Sequence, residues 1–135
     1  MILSVQDSLA DECTSVLPPR AVEGIHLFNA GKYWLAHEAL EAAWREEPGA
    51  VRELYRGILQ AGVVYLHIER RNLQGALKVY LRCRRWLSRF PDVCRGVDIA
   101  VLRRDLDHAV EEAKRLGAQH LDEFDRALFK PVEVR

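Results

Sequence analysis

The sequence has few of the features that mark membrane or exported proteins. It contains no uncharged apolar run near the roughly 18 residues that a membrane-spanning helix requires. Its first residues, MILSVQDSLADE, carry acidic groups where a signal peptide carries Lys or Arg. These absences predict a soluble, cytoplasmic protein without a membrane partner.

Cysteine is also scarce. The chain has three cysteines, Cys13, Cys83 and Cys94, which is an odd count without a CxxC spacing. Neither a disulfide framework nor a thiolate zinc site is indicated by this pattern. We therefore expect three small thiols that are buried or half-buried.

A net charge of zero excludes a uniformly basic or acidic protein, but the charges are unevenly distributed. Residues 1–69 carry 5 basic and 10 acidic side chains, residues 70–104 carry 10 and 2, and residues 105–135 carry 5 and 8. The basic middle segment can attract nucleic acid, or it can lie against acidic segments of its own chain or of a second subunit. The second interpretation is favoured, because charge blocks are more often solvated faces than binding sites.

Helical periodicity runs through most of the chain, and no strand-like alternation competes with it. The length of 135 residues and the hydrophobic content of 49% suit a single domain, 1–135, with a core at 17–100 and a C-terminal helix and tail at 101–135. Turn residues and prolines separate the predicted helices. These are AVEGIHLFNA, ended by Gly31; Tyr33–Glu46, ended before Pro48; about 49–70; a helix from the turn at Asn72 to near Phe90; and a helix that begins at the candidate N-cap Asp98.

The predicted fold is therefore all-α, a compact bundle of about five helices that form antiparallel helical hairpins. The segments GKYWLAHEAL (31–40) and RNLQGALKVY (71–80) match each other at a spacing of 40 residues. Such an echo is typical of tetratricopeptide-like hairpins, but two copies are too few for a stable solenoid. The C-terminal ALFKPVEVR is expected to lie extended across the bundle or to contact a second subunit, so a homo-oligomer is compatible with the sequence.

The stretch YWLAHEALEAAW (33–44) places polar groups on an otherwise apolar helix. It approaches HExxH, the zinc-protease helix in which two His one turn apart bind the metal, but its fifth position is Glu41. At about 100° per residue, His37 lies at the border between an apolar stripe and a stripe that holds Glu38, Glu41 and Arg45. The helix at 49–70 carries a second polar stripe with Arg56, Gln60 and His67.

A tight turn at 47–49 makes these two helices an antiparallel pair. In such a pair, two residues, one from each helix, lie at the same height when their residue numbers add up to a nearly constant total. Glu41 should then meet Gln60, Arg45 should meet Arg56, and His37 should lie near His67. Two imidazoles and one or two carboxylates can bind one divalent zinc, iron, manganese or nickel ion. The same groups can also satisfy one another by hydrogen bonds and do no chemistry.

The motifs LPPR, LFNAGKYWLAHEALEAAWR, YRGILQAGVVYLHIERRNLQGALKVYLRC and PDVCRGVD resemble the small helical family known as domain of unknown function 309, over roughly residues 17–100. The resemblance implies a helical fold and a metal-dependent hydrolase of unknown substrate. It implies site positions at Asn29, Gly31, His37, Glu38, Glu41, Trp44, Arg45, Gln60, His67, Asn72, Gly75 and Lys78.

Three functional hypotheses follow. In the first, a metal-dependent hydrolase, His37, Glu41 and His67 hold the ion, Glu38 acts as base, Arg45 or Arg56 binds an anionic substrate, and Trp44 and Gln60 support the site. In the second, a non-enzymatic helical module binds a partner protein or a small anionic ligand through the polar seam, which is the line of polar side chains where these two helices meet. The third is nucleic-acid binding through the basic fourth predicted helix, with Lys78, Arg82, Arg85 and Arg89 at helical spacing. Nucleic acid is the least favoured partner, because the chain has no known binding motif and no net charge.

Overall fold

The computed structural model describes residues 5–135, and for residues 5–8 only the backbone. Within that range the chain forms six α-helices: α1 (Val5–Glu12), α2 (Pro19–Asn29), α3 (Tyr33–Glu46), α4 (Arg52–Glu69), α5 (Leu73–Leu87) and α6 (Ile99–Leu116). A small antiparallel hairpin, β1 (Val93–Cys94) and β2 (Val97–Asp98), precedes α6, and two short 3₁₀ helices, Ala118–Glu123 and Arg126–Leu128, follow it. The predicted all-α bundle is confirmed.

Residues 1–4, the start of the predicted domain and of the segment used to exclude a signal peptide, lie outside the described residues. No helix within residues 5–135 is both long and apolar enough to cross a bilayer. The helix α1 was not predicted from the sequence. Its segment VQDSLADE is mostly polar, and Leu9 packs into the core.

Helices α2 to α5 pack consecutively, each against the next along the chain. The turns before α3 and before α5 share one hydrogen-bond geometry: Gly31 and Arg71 have φ of 77° and 60°, and the following N–H groups of Lys32 and Asn72 donate to the carbonyls of Leu27 and His67. This pattern is the Schellman cap, in which a left-handed residue ends a helix. The 40-residue echo therefore corresponds to two equivalent helix–turn–helix connections.

Helix α4 is the centre of the bundle. It is buried on most of its sides, as its all-round apolar pattern predicts. At Gly57 a β-carbon would lie 2.6 Å from a methyl of Leu87, so glycine is what allows α5 to approach α4 this closely. With α3 packed on one flank of α4 and α5 on another, side chains on α4 can contact both neighbours.

The cysteines differ from the expectation of three free thiols. Cys13 and Cys94 form a disulfide across 81 residues, while Cys83 is a free, buried thiol as expected. The bond forms because the α1–α2 linker lies against the hairpin, where the N–H of Arg95 donates to the carbonyl of Cys13. Disulfides persist mainly in oxidising compartments, so the cytoplasmic location stays a prediction that this bond does not support.

Beside the disulfide lies a buried polar cluster around Arg95, whose side chain is only 8% exposed. Arg95 donates to the carbonyl of Glu12 at 2.8 Å, to the carboxylate of Glu47 at 3.1 Å and to the hydroxyl of Tyr55 at 2.8 Å. We call these four residues the Arg95 cluster. The cluster fastens the α1–α2 linker and the hairpin to the α3–α4 turn.

The C-terminal residues pair with the same hairpin. The N–H of Asp98 donates to the carbonyl of Glu133, and the N–H of Arg135 donates to the carbonyl of Gly96. Asp98 is the N-cap of α6, as predicted, because its side chain accepts from the N–H of Val101. The tail crosses the bundle through Phe129, whose ring packs on buried aromatic rings of α3 and α4.

Candidate functional site

The polar stripes of α3 and α4 meet in a pocket of about 260 Å³. We call it the α3–α4 pocket; it is lined by His37, Glu41, Trp44, Arg56, Leu59 and Gln60. Glu41 and Gln60 share this pocket, as the antiparallel register of the two helices predicts. The polar stripes of α3 and α4 thus face each other, as the predicted site between these two helices requires.

The α3 side of the pocket is a chain of three polar groups. Nδ1 of His37 lies 3.6 Å from Oε2 of Glu41, and Nη2 of Arg45 donates to the other carboxylate oxygen at 2.6 Å. The ring of Trp34 stacks flat on the imidazole with centroids 5.3 Å apart. Glu41 is therefore already partnered by one guanidinium, and the imidazole is held between a carboxylate and an indole.

The α4 side is dominated by Arg56. Its guanidinium carbon lies 4.6 Å from the ring centre of Trp44 and 4.7 Å from that of Trp86 on α5. Arg52 covers the same Trp44 ring, and Arg89 covers Trp86. These five side chains form an alternating Arg–Trp stack across three helices, and cation–π contacts of this kind favour guanidinium groups over indole rings. The stack fixes the Arg56 guanidinium at the pocket wall.

Several polar atoms around this pocket are buried without a hydrogen-bond partner. Among the described residues these include the indole Nε1 of Trp44 and Oε1 of Gln60, both in pocket-lining side chains, and Nε of Arg52 next to them. Oε2 of Glu53 has no aligned hydrogen bond either, although Nε of Arg56 lies 3.1 Å away as an ion pair. A buried polar group left unpaired destabilises the fold by about 1–3 kcal/mol, so such a concentration at one pocket requires an explanation.

The predicted metal ligands are only partly brought together. His67 does not line the pocket; its Nδ1 lies 3.2 Å from the side-chain amide of Asn72 in the α4–α5 turn. Within the described residues no group of three or more His, Cys, Asp or Glu side chains is arranged to hold a metal ion. The set His37, Glu41 and His67 therefore lacks the geometry of a metal site here, and metal binding stays a prediction.

The predicted catalytic residues also separate. Arg56 lines the pocket, whereas Glu38 is exposed and does not line it. Arg45 is 69% exposed and reaches the site only through its ion pair with Glu41. The geometry thus gives the proposed base, Glu38, no position beside the pocket.

Other residues implied by the family resemblance have structural roles. Asn29 exchanges two hydrogen bonds with the backbone of Val132, which fixes the C-terminal segment to α2. Asn72 caps α5 by accepting from the N–H of Gly75 at 3.0 Å, and Gly31 occupies the left-handed position after α2. The positions that the resemblance implies therefore include residues that form turns or fix the C-terminal segment, as well as residues that line the pocket.

Sequence reasoning missed the residues of the Arg–Trp stack that come from outside the paired stripes, namely Arg52, Trp86 and Arg89. The sequence does indicate that Arg52 lies beside Arg56, because the two residues are four apart and lie on one face of α4. Trp86 and Arg89 could not be placed, because the orientation of α5 does not follow from the α3–α4 register.

Comparison with known proteins agrees with the resemblance. Residues 21–79 match the model of a family described as a domain of unknown function, DUF309. This match covers 59 of the 135 residues of the chain. An uncharacterized protein of Aquifex aeolicus (strain VF5) is 26% identical over 92 residues, which cover 65% of this chain and 27% of that protein. This chain thus spans about a quarter of the length of that relative. No solved structure matches the chain.

The DUF309 match extends from α2 into the first half of α5. It includes every residue that lines the α3–α4 pocket, whereas Cys13, Cys94, Arg95 and Trp86 lie outside it. The pocket therefore lies within the matched segment, whereas the disulfide lies outside it. The Arg95 cluster joins the two parts, because Glu47 and Tyr55 lie inside the matched segment and Glu12 and Arg95 lie outside it.

Proposed function

We propose that the protein is a non-enzymatic binding module, and that its α3–α4 pocket binds a small anionic group, a carboxylate or a phosphate, carried by a small molecule or by a partner protein. The observation that carries this proposal is the pair of unpartnered buried atoms, the indole N–H of Trp44 and the amide oxygen of Gln60, in side chains that line one pocket with the Arg56 guanidinium. A pocket with a few convergent polar groups is the usual form of a small-ligand site.

Charge around the pocket favours an anion over a cation. Three arginines, Arg45, Arg52 and Arg56, lie in or beside it, against two carboxylates, Glu41 and Glu53. The net charge of this group is +1 when His37 is neutral and +2 when it is protonated. An incoming carboxylate or phosphate oxygen would lower the electrostatic energy of the cluster.

The available donors suit oxygen atoms of such a group. The guanidinium of Arg56 has a planar set of N–H donors that matches carboxylate and phosphate geometry, and its stacking between two indoles limits its motion. The N–H of Trp44 can donate only, so an acceptor from the ligand is the partner it needs. The oxygen of Gln60 would accept from a hydroxyl or protonated oxygen of the same ligand.

Binding is favoured over hydrolysis because the groups proposed for catalysis do not converge. A base must lie within hydrogen-bond reach of the water that it activates, and Glu38 is not beside the pocket. The hydrolase hypothesis would need His37 and Glu41 to bind an ion with a third ligand from elsewhere. Metal binding, which the hydrolase hypothesis predicts, is therefore the alternative outcome of the experiment.

Isothermal titration calorimetry at constant ionic strength tests the proposal, with sodium phosphate and sodium acetate as probes. We expect saturable binding of at least one probe to the wild type. Phosphate, unlike acetate, has a protonated oxygen that can donate to the Gln60 amide oxygen, so phosphate binding should be lost in Gln60→Met, which removes the amide while keeping a side chain of similar length. Gln74→Met is the matched control, because Gln74 is an exposed glutamine on α5.

The outcomes separate the hypotheses. Equal phosphate binding by Gln60→Met and the wild type would contradict the proposal, as would the absence of binding by both anions. Elemental analysis and titration with zinc, manganese and nickel chloride form the second arm. About one bound equivalent, lost in His37→Ala, would replace the anion site by the metal site of the hydrolase hypothesis.

A further inference from the structure

The outer face of α5 carries a row of basic side chains. Lys78, Arg82 and Arg85 are exposed, and their spacings of four and three residues place them on one side of the helix; the exposed Arg89 follows in the turn after α5. We call these four residues the α5 basic face. At 1.5 Å per residue the helical part of the row, from Lys78 to Arg85, extends over about 10 Å.

The structure divides the basic segment 70–104 into two groups. Arg84 pairs with Asp107 at 2.8 Å, Arg95 with Glu47 at 3.1 Å and Arg103 with Asp92 at 2.8 Å. Among the described residues, no carboxylate lies within salt-bridge distance of any member of the α5 basic face. The intramolecular pairing that the sequence favoured therefore accounts for part of the segment, and not for this face.

Unpaired cations at these spacings repel one another and disfavour the helix that carries them. The sequence of α5, LQGALKVYLRCRRWL, holds no acidic residue that could relieve this repulsion. A polyanion outside the chain would relieve it.

We propose that the α5 basic face is a docking surface for the phosphate backbone of nucleic acid. Duplex DNA carries one negative charge per about 1.7 Å of its axis, so a row about 10 Å long within the helix meets several phosphates at once. Three of the four cations are arginines, whose planar donor set binds phosphate oxygens in pairs. The acidic side chains of the protein concentrate in segments 1–69 and 105–135, which explains how a chain of zero net charge has one strongly basic surface.

An acidic protein partner fits this face less well. Protein–protein interfaces have a core enriched in aromatic and apolar side chains and depleted of Lys. The α5 basic face offers one large exposed apolar side chain, Leu81, which is 70% exposed. A row of cations with a single leucine is suited to a charged backbone rather than to an apolar core.

Fluorescence anisotropy with a labelled DNA duplex two helical turns long, and with a single-stranded RNA of the same length, tests this inference. The variant Lys78→Gln, Arg82→Gln, Arg85→Gln removes three cations and leaves Arg89, which stacks on Trp86. The control Arg20→Gln, Arg104→Gln, Arg115→Gln changes the net charge equally with exposed cations from other helices.

With the wild type we expect log K to fall with log salt at a slope of about −3 to −4 on duplex DNA between about 50 mM and 200 mM salt, since each of four phosphate contacts contributes about −0.9. The α5 variant should bind more weakly at low salt and lose about one unit of slope per removed cation. The control should behave as the wild type.

Three results would overturn the inference: no binding of either nucleic acid by the wild type at low salt, equal losses in the α5 variant and the control, or stronger binding of polyglutamate than of nucleic acid. The last result would assign the face to an acidic protein. The inference is independent of the α3–α4 pocket, because Gln60→Met should bind nucleic acid as the wild type does.

Discussion

The Arg95 cluster and the α3–α4 pocket are both polar groups set against the same apolar core, and they differ in how those groups are paired. Arg95 makes three side-chain hydrogen bonds, to the Glu12 carbonyl, the Glu47 carboxylate and the Tyr55 hydroxyl. In the pocket, the indole N–H of Trp44 and the amide oxygen of Gln60 are buried and have no partner. The charge of Arg95 is satisfied within the chain, although Oε2 of the neighbouring Glu12 is also buried without a partner. In the pocket, a donor and an acceptor of two lining side chains are both unpaired.

This difference separates a structural role from a binding role. A buried charge with its partners in place fixes the arrangement of the segments it joins, and here it joins the α1–α2 linker, the hairpin and the α3–α4 turn. A buried donor and acceptor left unpaired lower the stability of the fold, and proteins often tolerate such a loss at sites that bind a ligand. Substitutions in the Arg95 cluster should therefore lower the stability of the fold, whereas substitutions in the α3–α4 pocket should lower ligand binding with little loss of stability.

The largest effect is expected from Arg95→Met. It leaves the carboxylate of Glu47 buried without its cation, and breaking a buried pair in this way costs about 3–5 kcal/mol of unfolding free energy. Urea denaturation measures the loss, and Arg104→Met, at an exposed position, should stay within about 0.5 kcal/mol of the wild type. A loss as small for Arg95 as for Arg104 would contradict the structural role of the cluster.

The next effect is expected from Cys13→Ser, Cys94→Ser, which removes the covalent link beside the cluster. A disulfide typically contributes about 2–4 kcal/mol, mainly by restricting the unfolded chain. Treating the wild type with dithiothreitol should lower its unfolding midpoint to that of the variant, while the variant should not respond. A wild-type midpoint that is insensitive to the reductant would show that the bond does not stabilise the protein.

In the pocket we expect stability and binding to respond in opposite directions. Gln60→Met removes an unpaired buried oxygen and keeps an apolar side chain of similar length, so the free energy of unfolding should stay equal or rise by about 1 kcal/mol. The same variant should lose the phosphate binding measured by calorimetry. A clear loss of stability would mean that Gln60 has structural partners and would make the pocket resemble the Arg95 cluster.

The smallest effect on stability is expected from Trp44→Phe. It keeps an aromatic ring between Arg52 and Arg56 and removes the indole N–H, so the stack should lose about 1 kcal/mol or less. Anion affinity should fall because the donor is gone. If affinity is unchanged, the indole N–H takes no part in binding, and the site would consist of Arg56 and its neighbours alone.

The sequence predicted helices α2 to α6 and the polar stripes that α3 and α4 turn toward each other, because both follow from helical periodicity and from the short α3–α4 turn. It predicted that Glu41 meets Gln60, and both line the pocket. That His37 lies near His67 stays a prediction: His67 does not line the pocket, and in the register that pairs Glu41 with Gln60 it lies three residues, or about 4.5 Å, beyond the level of His37. There Asn72 of the following turn is its neighbour.

The remaining features depend on contacts between distant segments. The disulfide joins positions 81 residues apart, and an odd number of cysteines gives no indication of which two meet. The Arg95 cluster joins four residues from different parts of the chain, none of which stands out by its spacing. Local periodicity describes single helices and adjacent pairs, and it contains no information on how α1, the hairpin and the C-terminal tail assemble around them.

The most direct test of the α3–α4 pocket is a titration of ¹⁵N-labelled protein with sodium phosphate and sodium acetate at constant ionic strength, followed by the indole N–H signals of the three tryptophans. We predict a saturable shift of the Trp44 signal with at least one anion, and smaller responses from Trp86 through Arg56 and from Trp34 through His37. Loss of the phosphate-induced Trp44 shift in Gln60→Met would tie the response to the pocket. A Trp44 signal that does not move with either anion, or that moves no more than Trp34, would contradict the account.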